Sequence, residues 1–173
     1  MKRKALTFAL PFMLLTGIVG CESNVIDEDH AIVSVDEAKN KENYAGNLNA
    51  LNKELGTVLT SISSIDIEGS TSDSTKKEFE EKINGLKSIT AQIRRLSPES
   101  KYEDSHKKVS ESTSMLDKAF NKQLTAIKKE DSTKLEEAIK NMSEATDLYV
   151  DSVTEVNDIY LKAIEDIAEN LGK

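Results

Sequence analysis

Tryptophan is absent from this chain of 173 residues, cysteine occurs once, proline and histidine twice each, and arginine only at positions 3, 94 and 95. Each scarcity closes a class of function. A lone thiol, Cys21, forms no intrachain disulfide and no two-cysteine redox or zinc pair. His30 and His106 stand far apart in the chain, and no glycine-rich phosphate loop or serine elbow is present. With few rings and no indole, stacking on sugars is disfavoured. No catalytic constellation remains, so the chain is expected to be non-enzymatic, with no metal site and no cofactor.

What is present begins at the N-terminus. Lys2, Arg3 and Lys4 form a basic cluster, and residues 5–19 are almost wholly apolar, the layout of a secretory signal. Pro11 and Gly17 interrupt this run, and it falls short of the ~20 apolar residues that a membrane-crossing helix needs. Ile18-Val19-Gly20-Cys21 then resembles the lipobox of bacterial lipoproteins, in which small residues precede an obligatory cysteine. That resemblance implies cleavage between Gly20 and Cys21 and diacylglycerol on the Cys21 thiol. The mature chain would then sit at the extracytoplasmic face of the cell membrane, and acyl chains worth ~0.8 kcal/mol per buried CH₂ would hold it there. Lysine far outnumbers arginine, which with the lipobox is similar to proteins of low-GC Gram-positive bacteria. The apolar residues 13–20 also resemble the peptide pheromones cut from lipoprotein signals in some of these bacteria.

Charge sets the partners. Removing residues 1–20 takes away three cations and leaves twenty basic against 31 acidic side chains, a formal charge of −11. Such a body is repelled by nucleic acid and by anionic lipid headgroups. The lipid on Cys21 would therefore supply the membrane contact.

Three regions follow from composition and period: a signal peptide over 1–20, an acidic tether over 21–33, and a helical bundle over 34–173. In the third, apolar residues step by three and four. Ser34-Val35-Asp36-Glu37 has the form of a capping box, and Tyr44, Leu48, Leu51, Leu55, Val58, Ile62 and Ile65 predict a first helix over about 35–66. Residues 68–72 read as a loop. Thr75-Lys76-Lys77-Glu78 offers a second capping box, followed by Phe79, Ile83, Leu86, Ile89, Ile93 and Leu96. Ser97-Pro98 reads as a stop and restart, with Ser97 as cap and Pro98 in the first turn of a third helix.

That third helix carries Tyr102, His106, Val109, Thr113, Leu116, Phe120, Gln123 or Leu124, and Ile127. After the tight connection 128–132, a fourth carries Leu135, Ile139, Met142, Ala145, Tyr149, Val153, Val156, Tyr160, Ile164, Ile167 and Leu171. Narrow stripes and short connections predict an all-α fold, an elongated antiparallel bundle of three to four long helices. Helix two is shorter than helix four, so helix four is expected to overhang or part of the bundle to hold only three helices.

Several clusters could carry function. Glu144, Asp147, Asp151, Glu155 and Asp158 recur along helix four opposite its apolar stripe, an acidic ridge suited to a cationic protein surface. Asp27-Glu28-Asp29-His30 offers donors for a divalent ion, but adjacent residues in a tether make a poor coordination sphere. His106 is expected at the edge of an apolar seam with a hydrogen-bond partner. Residues 103–114 hold one strong hydrophobe, Val109, among many hydroxyls, and are expected to bury little. Arg94 and Arg95 complement the end of the helix two dipole, with anion binding as the alternative.

These features predict a lipid-anchored envelope module that presents a helical rod to an envelope protein or the cell wall. The overall pattern is similar to small helical envelope lipoproteins of Gram-positive bacteria. Two alternatives are a carrier holding a small ligand or metal ion inside the bundle, and a precursor of a signal-derived pheromone. The carrier would draw on Thr113, His106 and the tyrosine hydroxyls.

Overall fold

The computed structural model describes residues 43–65 and 72–171, and every described element is helical. The chain builds α1 (Tyr44–Ser63), α2 (Asp73–Arg95), a single 3-10 turn (Ser100–Tyr102), α3 (Glu103–Lys128) and α4 (Ser132–Leu171). The expected capping box at 34–37, the acidic cluster at 27–30 and Cys21 lie outside the described residues. No described helix is long and apolar enough to cross a membrane.

Helix direction follows from the ion pairs. Lys128 meets Glu80 at 2.6 Å and Arg94 meets Asp117 at 2.6 Å, so α2 and α3 run in opposite senses. Lys108 pairs with Glu155 and Lys122 with Glu137, which sets α3 antiparallel to α4. Successive helices pack as neighbours, α3 against α4 most extensively, and α1 closes back on α4 through a smaller contact.

One apolar core runs through the bundle, from Tyr44, Leu48, Leu51 and Leu55 of α1 to Met142, Tyr149, Val153 and Val156 of α4. Each fully buried side chain of this size contributes about 1.5–3 kcal/mol. The stripes land inside with local shifts. Leu59 rather than Val58 is buried on α1, and Ala138 rather than Ile139 on α4. Of the two candidates on α3, Gln123 is buried, its amide 3.4 Å from the Met142 sulfur.

Helix boundaries depart from the sequence expectation at two starts. The α2 cap is Ser72, whose hydroxyl accepts the Thr75 N–H at 3.2 Å, so the helix begins ahead of the expected box at Thr75. Ser97 does not cap α3, and Pro98 is not in its first turn. Leu96 is extended, the 3-10 turn follows, and α3 starts at Glu103. Pro98 lacks the N–H that a continuing helix needs and disfavours helical backbone at Ser97, and the longer connection lets both Leu96 and Tyr102 turn into the core.

The α3–α4 connection is tight, as the sequence implies. The Asp131 N–H reaches Ala126 O at 3.0 Å and the Glu130 N–H reaches Ile127 O at 3.2 Å, the paired bonds of a Schellman stop. Glu130 takes the left-handed backbone this motif requires, at φ 52°. Asp131 then caps α4 by accepting the Lys134 N–H at 3.1 Å.

Forty residues at ~1.5 Å rise make α4 about 60 Å long. Its buried face ends at Val156. Tyr160, Ile164, Ile167 and Leu171, expected on the inward stripe, are exposed instead. The stripe continues in sequence, but the described part of α1 does not reach far enough to cover it.

Candidate functional site

The acidic ridge of α4 lies on the surface. Glu144, Asp147, Asp151 and Asp158 are exposed and Glu155 is half-buried. Two of the five are partnered. Both Glu155 carboxylate oxygens accept from the Lys108 ammonium, at 2.8 and 2.9 Å, and Glu144 lies 3.9 Å from Lys140. The hydrogen-bonded Glu155 carboxylate holds the Lys108 pKa above its ordinary value. Asp147, Asp151 and Asp158 make no salt bridge among the described residues, so the ridge keeps a negative field.

Part of this ridge forms one rim of an open groove of about 370 Å³ between α3 and α4. The groove exists because its floor residues are small. Ser112 and Ser152 are buried, and each spends its hydroxyl on its own helix, donating to Val109 O at 3.0 Å and Leu148 O at 2.6 Å. Small side chains let the helices approach and leave a trough above them. Met115, 37% exposed, and Leu148, 48% exposed, supply apolar walls. Glu111 and Asp151 stand on the rims, with the Lys108–Glu155 bridge lining the same groove. Apolar walls under carboxylate rims suit an amphipathic segment bearing cations, the helix-in-groove arrangement.

The sequence pattern found the α4 rim and missed Glu111 on the other rim and both walls. Met115 and Leu148 each lie next to a core residue, Leu116 and Tyr149, and so fall just outside the apolar stripes. A large apolar side chain off the stripe was the available signal.

The hydroxyl-rich stretch 103–114 buries one face where it was expected to bury little. Ser105, Val109, Ser112 and Thr113 all turn inward. Thr113 donates to Val109 O at 2.8 Å and Ser114 to Ser110 O at 2.8 Å, so these hydroxyls are satisfied within the helix.

A second polar group gathers where α1 begins. His106 lies at the seam's edge, its Nδ1 3.0 Å from the Tyr44 hydroxyl and its Nε2 3.4 Å from Ser110 Oγ. The His106 ring meets Tyr44 edge-on at 5.4 Å, and Tyr102 lies against the other side of the cluster at 5.1 Å from Tyr44. Burial lowers the His106 pKa, and burial raises those of Tyr44, Tyr102 and Tyr149, so all four groups favour their neutral forms. Thr113, the other polar residue considered for an internal ligand, already bonds its own backbone.

Arg94 is committed elsewhere. Its Nη2 donates to Asp117 Oδ2 at 2.6 Å, and Thr90 donates to Asp117 Oδ1 at 2.5 Å, tying α2 to α3. Arg94 and Arg95 do occupy the last turn of α2, where cations oppose the dipole. Among the described residues no group of three or more His, Cys, Asp or Glu side chains could hold a metal ion.

The chain matches a family described as a domain of unknown function, DUF7018, over residues 39–167. No curated protein matches it, and no solved structure does.

Proposed function

The chain belongs to the DUF7018 family, a domain of unknown function, and we infer, from the lipobox-like sequence at Cys21 and from the geometry of the bundle, that it is a non-enzymatic envelope lipoprotein whose α3–α4 groove receives a cationic amphipathic segment of an envelope partner. The observation that carries this reading is the groove itself, with Met115 and Leu148 as walls and Asp151 and Glu111 on the rims. Two exposed apolar side chains offer burial of about 1.5–3 kcal/mol each at most. The unpaired carboxylates add steering and selectivity more than affinity. Lipid on Cys21 would hold the bundle at the outer face of the membrane and raise its effective concentration near such a partner.

A photoreactive residue placed at position 148 in living cells tests this. One defined partner should crosslink there and not at Glu81, an exposed position on α2. Adding Asp151→Lys should abolish the product while leaving the helical content unchanged. Equal crosslinking from both positions, or a product indifferent to Asp151→Lys, would refute the groove as the binding site.

The carrier reading draws support from the convergence of Tyr44, Tyr102 and His106. Tyr44 and His106 already satisfy one another, which leaves little for a ligand to bind. The groove therefore has the stronger support.

A further inference from the structure

Beyond Val156, α4 runs on for about four turns with its apolar side bare. Tyr160 is 42% exposed, Leu161 56%, Ile164 45%, Ile167 60% and Leu171 82%. Side chains this large and this open present on the order of 500 Å² of apolar surface, at the upper end of the largest patch an ordinary monomer shows.

The pattern of this face says what it fits. Tyr160, Ile164, Ile167 and Leu171 step by four, three and four, the spacing of a seam between two paired helices. The positions that flank the seam are Leu161, Ala163, Ala168 and Asn170, and none is charged. Asn170, the polar one, already donates its side-chain amide to Asp166 O at 2.8 Å. The charges of the segment, Lys162, Glu165, Asp166 and Glu169, fall on the other side of the helix. Three carboxylates against one ammonium oppose docking on an anionic lipid surface. Without charged flanks, the seam also lacks the means to select a cationic partner, in contrast to the α3–α4 groove with its carboxylate rims. What remains is a helix of the same kind.

We propose that the overhang is a homodimer seam, in which residues 160–171 of two copies pair antiparallel about a twofold axis between positions 165 and 166. Tyr160 then meets Leu171 of the second copy and Ile164 meets Ile167, each contact made twice, as an isologous interface requires. Leu161 lies over Ala168 of the second copy, so a large flank faces a small one. Direction follows from the bundle. The seam begins beside Val153 and Val156, on the side by which α4 holds the other helices, so a parallel pair would drive the two bundles into one another, whereas an antiparallel pair leaves them at opposite ends. Two such faces together hide about 1,000 Å², the size at which a specific interface begins. The pairing rests neither on the groove nor on lipid at Cys21.

Sedimentation and cysteine trapping decide it. The full-length chain carrying Cys21→Ala should pass from its monomer mass of 19.1 kDa to twice that as its concentration rises through the micromolar range. Ile164→Asp with Ile167→Asp should hold it at the monomer mass over the same range, with helical content unchanged. Adding Tyr160→Cys and Leu171→Cys to the Cys21→Ala chain and oxidising mildly should give a covalent dimer whose peptide map links 160 to 171. These positions lie ~16 Å apart along one helix, beyond the ~7 Å between Cα atoms that a disulfide within one chain allows. A chain that stays monomeric throughout overturns the proposal, and so does a dimer that survives the two aspartates. Bonds joining 160 to 160 and 171 to 171 overturn the antiparallel seam. Capture of a monomer by phosphatidylcholine vesicles, lost with the two aspartates, would assign the face to lipid instead and equally overturn it.

Discussion

The Tyr44 hydroxyl, at the first residue of α1, stands 3.0 Å from Nδ1 of His106 in the first turns of α3. The contact links residues distant in sequence at the end of the bundle where α1, α3 and α4 meet, and it works best with a neutral ring. In the tautomer protonated on Nε2, Nδ1 accepts from the tyrosine and Nε2 faces Ser110 Oγ at 3.4 Å.

That arrangement predicts how stability changes with pH. Burial lowers the His106 pKa in the folded state, while the unfolded chain titrates near an ordinary ~6.5. Between the two values the unfolded state binds more protons, so stability falls as pH drops from about 6.5 through the folded value. The slope contributed by this one proton is at most about 1.4 kcal/mol per pH unit. The paired carboxylates Glu130, Asp131 and Glu137 have lowered pKa values and lose their contributions only at more acidic pH. Thermal melts from pH 7.5 to 5 should show the slope in the native chain, and His106→Gln should flatten it. An equal slope in both would remove His106 as its source.

Tyr149 predicts the opposite of the usual cost of truncating a core residue. Its ring is fully buried, and its hydroxyl finds no hydrogen-bond partner among the described residues. An unsatisfied buried hydroxyl carries a desolvation cost of about 1–3 kcal/mol. Tyr149→Phe keeps the ring and should leave the bundle as stable or raise its midpoint by several degrees. A loss above about 1 kcal/mol on chemical denaturation would mean that the hydroxyl is bonded in solution.

The Thr90–Asp117–Arg94 group predicts an uneven response. Removing the Asp117 carboxylate leaves Thr90 with its bond to Lys87 O at 3.0 Å. Arg94 loses its one salt bridge among the described residues, and its Nη1 is already buried without a partner. Asp117→Ala should therefore cost about 2–3 kcal/mol, within the range for leaving a half-buried charge unpaired. Adding Arg94→Leu should recover part of that loss. A double-mutant cycle that proved additive would show the pair to be uncoupled.

These clusters show which parts of the molecule were legible in the sequence. Stripes such as Phe79, Ile83, Leu86, Ile89 and Ile93 encode a helix and its inward face together, because burial at steps of three and four leaves few alternatives. The His106 position followed from the same logic. The overhang of α4 was legible from its length against α2, but the point where its buried stripe ends was not, since Tyr160 and Ile164 look like Tyr149 and Val153 in sequence. The acidic ridge could be read as a period, whereas the groove depends on two buried serines from different helices lying side by side. The start of α3 was missed because Pro98 marks a break in a helix without specifying how many residues the chain needs to bury Leu96 and Tyr102.

The proposed lipid anchor yields the plainest cellular prediction. A basic cluster and an apolar run route a chain to export, but the cysteine is what a lipoprotein signal requires, since the thiol receives the diacylglycerol and the cut falls just before it. Cys21→Ala should therefore leave the signal and apolar run intact yet yield a slower-migrating precursor that takes up no labelled fatty acid. One acyl chain binds membranes marginally and two bind firmly, so the unmodified form cut at residue 20 by design should leave the membrane fraction for the soluble one. Fatty-acid labelling that persists in Cys21→Ala would place the lipid elsewhere. Native protein that carries no label would end the lipoprotein reading, while leaving the helical bundle and its groove as they stand.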